Sequence, residues 1–217
     1  MTILHHPSEL LITAYATGNL DLGRHIALST HMMACAKCRN LVEGIERVGG
    51  AFLDSLPPTA MPLDAIDKIQ SRLNLTDGKT ISKPALHSTA LDGLPGIPNF
   101  VRQYKVGEWT WVAPRLHKQP IHIPDTDDAR VFLLKAGPGL KLLQHTHTET
   151  EMTCILQGHF SHSGQHFGIG DFDLGDPDID HEITIGSDQD CICLVAMRGQ
   201  LRLKGLLGKI MQPFVAI

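Results

Sequence analysis

From position 7 to position 75 the apolar residues return every three or four places, the period of a helix with one buried face. Ser8 is placed to cap a helix over 9–17. Gly18 and Asn19 would end it, since glycine enters the left-handed region at low cost. A second helix is predicted from 21 towards 33. A third spans 36–56, with Leu41, Ile45, Val48 and Phe52 on one face and Pro57-Pro58 as its stop. The fourth begins near Pro62 and carries Leu63, Ile66, Ile69 and Leu73 as a narrow apolar stripe. So small a helical unit has little interior to receive that stripe. It docks on neighbouring helices or lies in a groove on a partner.

The helical period fails between 74 and 99, where Gly78, Pro84, Gly93, Pro95, Gly96 and Pro98 read as a linker or as a peptide draped on a surface. Beyond it the pattern changes to short β-rich runs at 108–113, 129–135, 152–157 and 191–196, divided by Pro-Gly, Ser-Gly and Gly-Asp turns. Their spacing leaves no room for crossover helices and points to an antiparallel barrel or sandwich. The expected chain is therefore multidomain α and β: an all-α bundle over 1–78, a linker over 79–98 and an all-β domain over 99–217.

Composition narrows the function classes. Of the 217 residues, 42% are hydrophobic and 19% charged, an ordinary balance for a folded chain. No apolar run approaches the roughly 18 residues that span a bilayer, and the start lacks a basic segment followed by an apolar one, so a cytoplasmic protein without a membrane partner is expected. The net charge of −4 is evenly spread: 7 Lys+Arg against 8 Asp+Glu over 1–80, and 12 against 15 over 81–217. Neither part has the basic surplus that nucleic acid requires. Five cysteines are too few for a disulfide scaffold, which leaves metal or thiol chemistry in a reducing compartment. Thirteen histidines make metal sites the first hypothesis to test.

The first cluster is His31-Met-Met-Ala-Cys35-Ala-Lys-Cys38. His31 at a helix end lies one turn before Cys35, and Cys38 in the first turn of the next helix can close on the same ion, a spacing that suits zinc. His5 or His6 can return over the helix pair as the fourth donor, with His25 the weaker choice. A redox Cys-x-x-Cys would instead follow a strand in a βαβ unit, and no such strand precedes Cys35. A histidine near the start followed by His-x3-Cys-x2-Cys in a four-helix segment resembles the zinc-binding anti-sigma domain. That resemblance carries the upstream ligand onto His6.

The second cluster lies in the β half. His145 and His147 sit two apart on a predicted strand and share one face, Glu151 adds a carboxylate, and Gly158 suits the hairpin corner before 159–167. His181, beyond a turn-rich stretch, is the expected fourth donor. Gly139, His145, His147, Glu151 and Gly158 match all five positions of the first cupin motif. The second motif is matched at Gly170 and His181, with Asp176 and Asp178 where Pro and Gly are usual and Ile185 in place of Asn. By ligand type this set suits zinc, iron, manganese or nickel; the resemblance favours zinc. His159, His162 and His166 flank the Ser163-Gly164 turn and are expected to face solvent. Cys191 and Cys193 share one strand face, as core residues or as a sensing thiol pair, while Cys154 is expected in the core.

A zinc anti-sigma domain followed by a single cupin domain resembles the ChrR-type anti-sigma factors over essentially the whole chain. The resemblance implies a non-enzymatic repressor. Its helical domain would bind an extracytoplasmic-function sigma factor 1:1 and suffice for that binding, and its cupin would serve response to singlet oxygen or organic hydroperoxide. Two zinc ions per chain are implied. The alternative is a metal-dependent cupin dioxygenase, in which the helical zinc module serves assembly, because four protein ligands leave open positions on a six-coordinate metal.

Overall fold

The structure is a computed structural model that describes residues 2–74, 89–124, 129–142, 145–175, 183–199 and 201–203. Four helices come first: α1 (Glu9–Ala16), α2 (Leu22–Ala34), α3 (Ala36–Ser55) and α4 (Ala65–Asn74). Their ends follow the sequence signals. The Ser8 hydroxyl accepts the Leu11 amide at 3.3 Å, and Gly18 turns with φ +71°. Asp21 caps α2 by accepting the Arg24 amide at 2.9 Å. Cys35 is the hinge between α2 and α3: its amide donates to His31 O at 3.0 Å, and its sulfur faces the Cys38 amide at 3.5 Å. One residue thus closes one helix and opens the next.

Among the described residues twelve strands follow: β1 (Lys105–Val106), β2 (Thr110–Ala113), β3 (Leu116–His122), β4 (Arg130–Ala136), β5 (His145–His147), β6 (Glu151–Gln157), β7 (Phe160–His162), β8 (Gln165–Phe167), β9 (Phe172–Gly175), β10 (Thr184–Ile185), β11 (Cys191–Met197) and β12 (Leu201–Leu203). All named pairings are antiparallel, as expected. The main sheet runs β1-β3-β4-β11-β6-β9 with β2 beside β3; smaller sheets are β10-β7-β8 and β12-β5. The run expected at 108–113 forms β2 only from Thr110. β3 was hidden by His117, Lys118, Gln119 and Pro120, which interrupt its apolar alternation.

Strand β11 explains the layering. All seven of its residues are buried, and they alternate between two cores. Cys191, Cys193, Val195 and Met197 meet Phe160, Phe167 and Ile185 of the small sheet, whereas Ile192, Leu194 and Ala196 meet Ile26, Ala27 and Leu28 of α2. A continuous apolar run is what a strand covered on both faces requires. The second cover is a helix from the amino-terminal half, together with Leu91, Ile97 and Val101.

This packing bears on the linker expected over 79–98. Residues 75–88 lie outside the described residues; within 89–98, Leu91 and Ile97 are buried in the main core. Packing also joins what sequence pattern divided, since the buried face of α2 belongs to the core of the β half. The helices keep a small core of their own around Ile12, Met32, Cys35, Cys38 and Val42.

Gly158 marks a close crossing of two backbone segments. It turns with φ +71°, and a Cβ there would lie 2.6 Å from the Asp190 carbonyl oxygen, so only glycine fits between the β6–β7 corner and the start of β11.

The apolar stripe of the fourth helix does not dock on neighbouring helices among the described residues. Leu63, Ile66, Ile69 and Leu73 are all exposed, and so are Val48, Phe52, Leu53 and Leu56 along the second half of α3 and at its end. The expected buried face of α3 is therefore buried only near its start, at Cys38 and Val42.

Candidate metal centre

His6, His31, Cys35 and Cys38 converge, with one donor atom from each all lying within 4.8 Å of one another. His31 comes from the last turn of α2, Cys35 from the junction, Cys38 from the first turn of α3, and His6 from the segment ahead of α1. His31 Nε2 lies 3.3 Å from Cys38 Sγ, and His6 Nδ1 lies 3.4 Å from each sulfur. Bonds of about 2.0–2.1 Å to nitrogen and 2.3 Å to sulfur at tetrahedral angles give N–S edges of roughly 3.6 Å. The donors already stand near those edges.

The electrostatics of the four side chains suit a bound cation. Burial pulls the His31 imidazole below its usual range; at His6 burial does the same, reinforced by Lys37. Both rings therefore offer lone pairs at neutral pH. Burial, followed by the contact with Cys35, pushes the Cys38 thiol up to about 12. Two thiols and two neutral imidazoles in a buried pocket are the chemistry that a soft or borderline dication completes.

His31 Nδ1 donates to the Gly170 carbonyl at 2.8 Å, which fixes the tautomer and leaves Nε2 for the centre. His5 is turned elsewhere: its ring stacks on Phe167 at 4.0 Å and Nε2 lies 2.9 Å from His166 O. His25 stacks on Tyr15 at 4.7 Å. The geometry thus brings His6 to the cluster and gives His5 and His25 other partners. The supporting groups Gly170 and Asp171 were missed. Their Gly168-Ile-Gly170-Asp171 signature reads as a turn, and no local pattern reveals what a turn carbonyl will face.

The second ligand set is only partly visible. His145 and His147 occupy alternate positions of β5, opposite Leu203 and Leu201. Glu151 opens β6 opposite Gly175 of β9 and accepts the Thr153 hydroxyl at 3.3 Å. His181 lies outside the described residues. Glu149, two positions before Glu151, is exposed and pairs with Arg198 at 3.5 Å.

One histidine expectation is corrected. His162 is largely buried, stacked on Phe167 at 4.7 Å and 3.1 Å from an Asp173 carboxylate oxygen, because the β7–β8 hairpin folds over the sheet rather than into solvent. His166 is exposed, and His159 is half-buried beside Asp188 at 3.6 Å. Cys191 and Cys193 both enter the inter-sheet core with sulfurs 3.7 Å apart; that contact and burial hold the Cys193 thiol well above its usual range. Cys154 is buried as expected, and burial pushes it up to about 12.

Fold and site together define a class: a small helical module with a His2Cys2 cluster, seated on an antiparallel domain of the cupin type. Residues 98–201 match the family described as the ChrR cupin-like domain. Over 219 aligned residues, covering 100% of both chains, the sequence is 31% identical to the anti-sigma-E factor ChrR of Cereibacter sphaeroides. The structure is also similar to a chain of the crystal structure of Rhodobacter sphaeroides SigE in complex with the anti-sigma ChrR. That match has a TM-score of 0.70 and 27% identity, covering 90% of this chain and 100% of the other. The chain belongs to the ChrR family.

Proposed function

We propose that this protein is an anti-sigma factor, a regulator and not an enzyme, that binds an extracytoplasmic-function sigma factor 1:1 and withholds it from polymerase. The observation that carries this reading is the exposed apolar surface of α3 and α4, at Val48, Phe52, Leu63, Ile66 and Ile69, in a chain similar over its full length to ChrR. An apolar helix face of this kind binds by entering a groove on a partner. Among the described residues no helix is long and apolar enough to cross a membrane. The proposed setting is the cytoplasm, where sigma factors meet polymerase.

His6, His31, Cys35 and Cys38 are assigned to one zinc ion. When bound, it would tie the amino terminus, α2 and α3 together as a closed tetrahedral site without hydrolytic chemistry. His145, His147, Glu151 and His181 are assigned to a second metal in the cupin domain, zinc by family, with iron, manganese or nickel compatible with the donors. The domain limits 1–78 and 99–217 are kept as functional assignments. The helical part binds sigma, and the cupin part answers singlet oxygen or organic hydroperoxide.

A reporter driven by the cognate sigma factor tests the division of labour. The Glu151→Ala strain is expected to repress normally and to respond weakly to oxidant. Constitutive expression would assign the cupin metal to inhibition itself, and normal induction would make that site dispensable.

The thiol chemistry sets a pH dependence for the first site. With the metal-free Cys38 thiol raised to about 12, zinc must displace its proton at any physiological pH, so affinity falls as pH falls. Each unit of acidification should cost at least about tenfold, hence roughly 100-fold between pH 8 and pH 6. Chelator competition at several pH values measures this slope.

A further inference from the structure

The segment that delivers His6 is held from the β domain. The Leu4 and His5 amides both donate to Asp171 Oδ1, at 2.7 and 2.9 Å, and Asp171 Oδ2 accepts the Gly168 amide at 2.8 Å. Asp171 is 4% exposed, so its carboxylate is committed to these three donors in a buried setting. The Phe172 amide donates to the His5 carbonyl at 3.1 Å, which fixes the residue immediately before His6 from its other side.

The neighbouring residue holds the second imidazole. Gly170 turns with φ +86°, and a Cβ there would lie 2.9 Å from both Ala34 Cβ and Ile3 Cδ1. Backbone conformation and close approach both demand glycine, and the result is a carbonyl aimed at His31 Nδ1. The Phe172 ring meets His31 edge-on at 5.9 Å between centroids. The four-residue turn between β8 and β9, with Phe172 at the start of β9, therefore positions both histidines of the cluster. Strand β9 continues from that turn to Gly175, the register partner of Glu151.

We propose that the segment 168–172 of the cupin domain is a positioning element for the helical metal centre, with Asp171 and Gly170 setting its metal affinity from outside the ligand set. The proposal rests on the assignment of His6, His31, Cys35 and Cys38 to a metal. It makes the centre a joint product of both halves of the chain. Two of the four donors keep their geometry only while the turn is seated against the amino terminus and the end of α2. Groups one step removed from a metal ordinarily change affinity by about 10- to 100-fold when they are lost.

Cobalt(II) titration of the full chain tests this, because thiolate–cobalt absorption reports on the Cys35–Cys38 centre and not on a histidine–carboxylate site. Asp171→Ala should weaken cobalt binding at that band by about tenfold or more. Asp171→Asn, whose amide oxygen still accepts from Leu4 and His5, should recover part of the loss. His5→Ala removes only the stack on Phe167 and the contact with His166 O. It leaves every hydrogen bond to the turn in place and is the control expected to bind as the wild type; Asp171→Asn supplies the answer if Asp171→Ala does not fold. Wild-type affinity in the folded Asp171 variants would overturn the proposal while leaving the metal assignment standing. Absence of the thiolate–cobalt band from the wild-type chain would overturn both.

Discussion

Replacing Cys35 and Cys38 together by serine is expected to cost the chain one of two metal equivalents and to loosen α1, α3 and the amino terminus while both β cores stay folded. The helical core contains Ile12, Met32 and Val42 besides the two cysteines, too few side chains to hold three helices without a cross-link. A structural zinc site contributes on the order of 10 kcal/mol to the fold that forms it. Helix α2 should behave differently from its neighbours, because Ile26, Ala27 and Leu28 are fully buried against the β sheet. Metal analysis with amide hydrogen exchange checks both points. Protection should fall over 9–16 and 36–55 and persist over 22–34. Retention of both metal equivalents would defeat the ligand assignment, and loss of protection in α2 equal to that in α3 would defeat the account of its docking.

The double substitution Ile66→Asp and Ile69→Asp should abolish capture of the sigma factor without altering the fold. These side chains are 65% and 59% exposed, so the free protein gives up little packing when they change. In a complex that buries them, two carboxylates would be desolvated without partners, at a cost of several kcal/mol. Binding should fall by at least about 100-fold, since each 1.4 kcal/mol is tenfold. A pull-down with the cognate sigma factor, beside thermal unfolding of the free variant, measures the two quantities. Undiminished capture with an unchanged fold would move the binding surface elsewhere on the molecule.

Much of the architecture was legible along the chain because its signals are short-range. Helical periodicity, Ser8, Gly18 and the Pro57-Pro58 stop located three of the four helices within a residue or two, and α4 begins three residues after Pro62. Cys35 and Cys38 were readable as a pair with His31 because their spacing spans one helix end and one helix start. The choice between His5 and His6 was not readable from spacing, since both can reach the helix pair. Separate contacts turn His5 onto Phe167 and His6 onto the thiols.

What the pattern could not supply was the relation between the halves. A Pro- and Gly-rich stretch reads as a boundary, yet Leu91 and Ile97 within it are buried, and α2 serves as a layer of the β domain. The continuous apolar run of β11 carried a trace of this, since a strand with one wet face would alternate with polar residues. Its covering element could not be named from the run. Gly170 likewise reads as a turn residue, while its partner His31 stands 139 positions away. Periodicity and capping are set by neighbours within one or two turns of chain. The seat of a helix on a sheet, and the aim of one carbonyl at one imidazole, depend on close packing between segments remote in sequence, and these arise only when the whole chain folds.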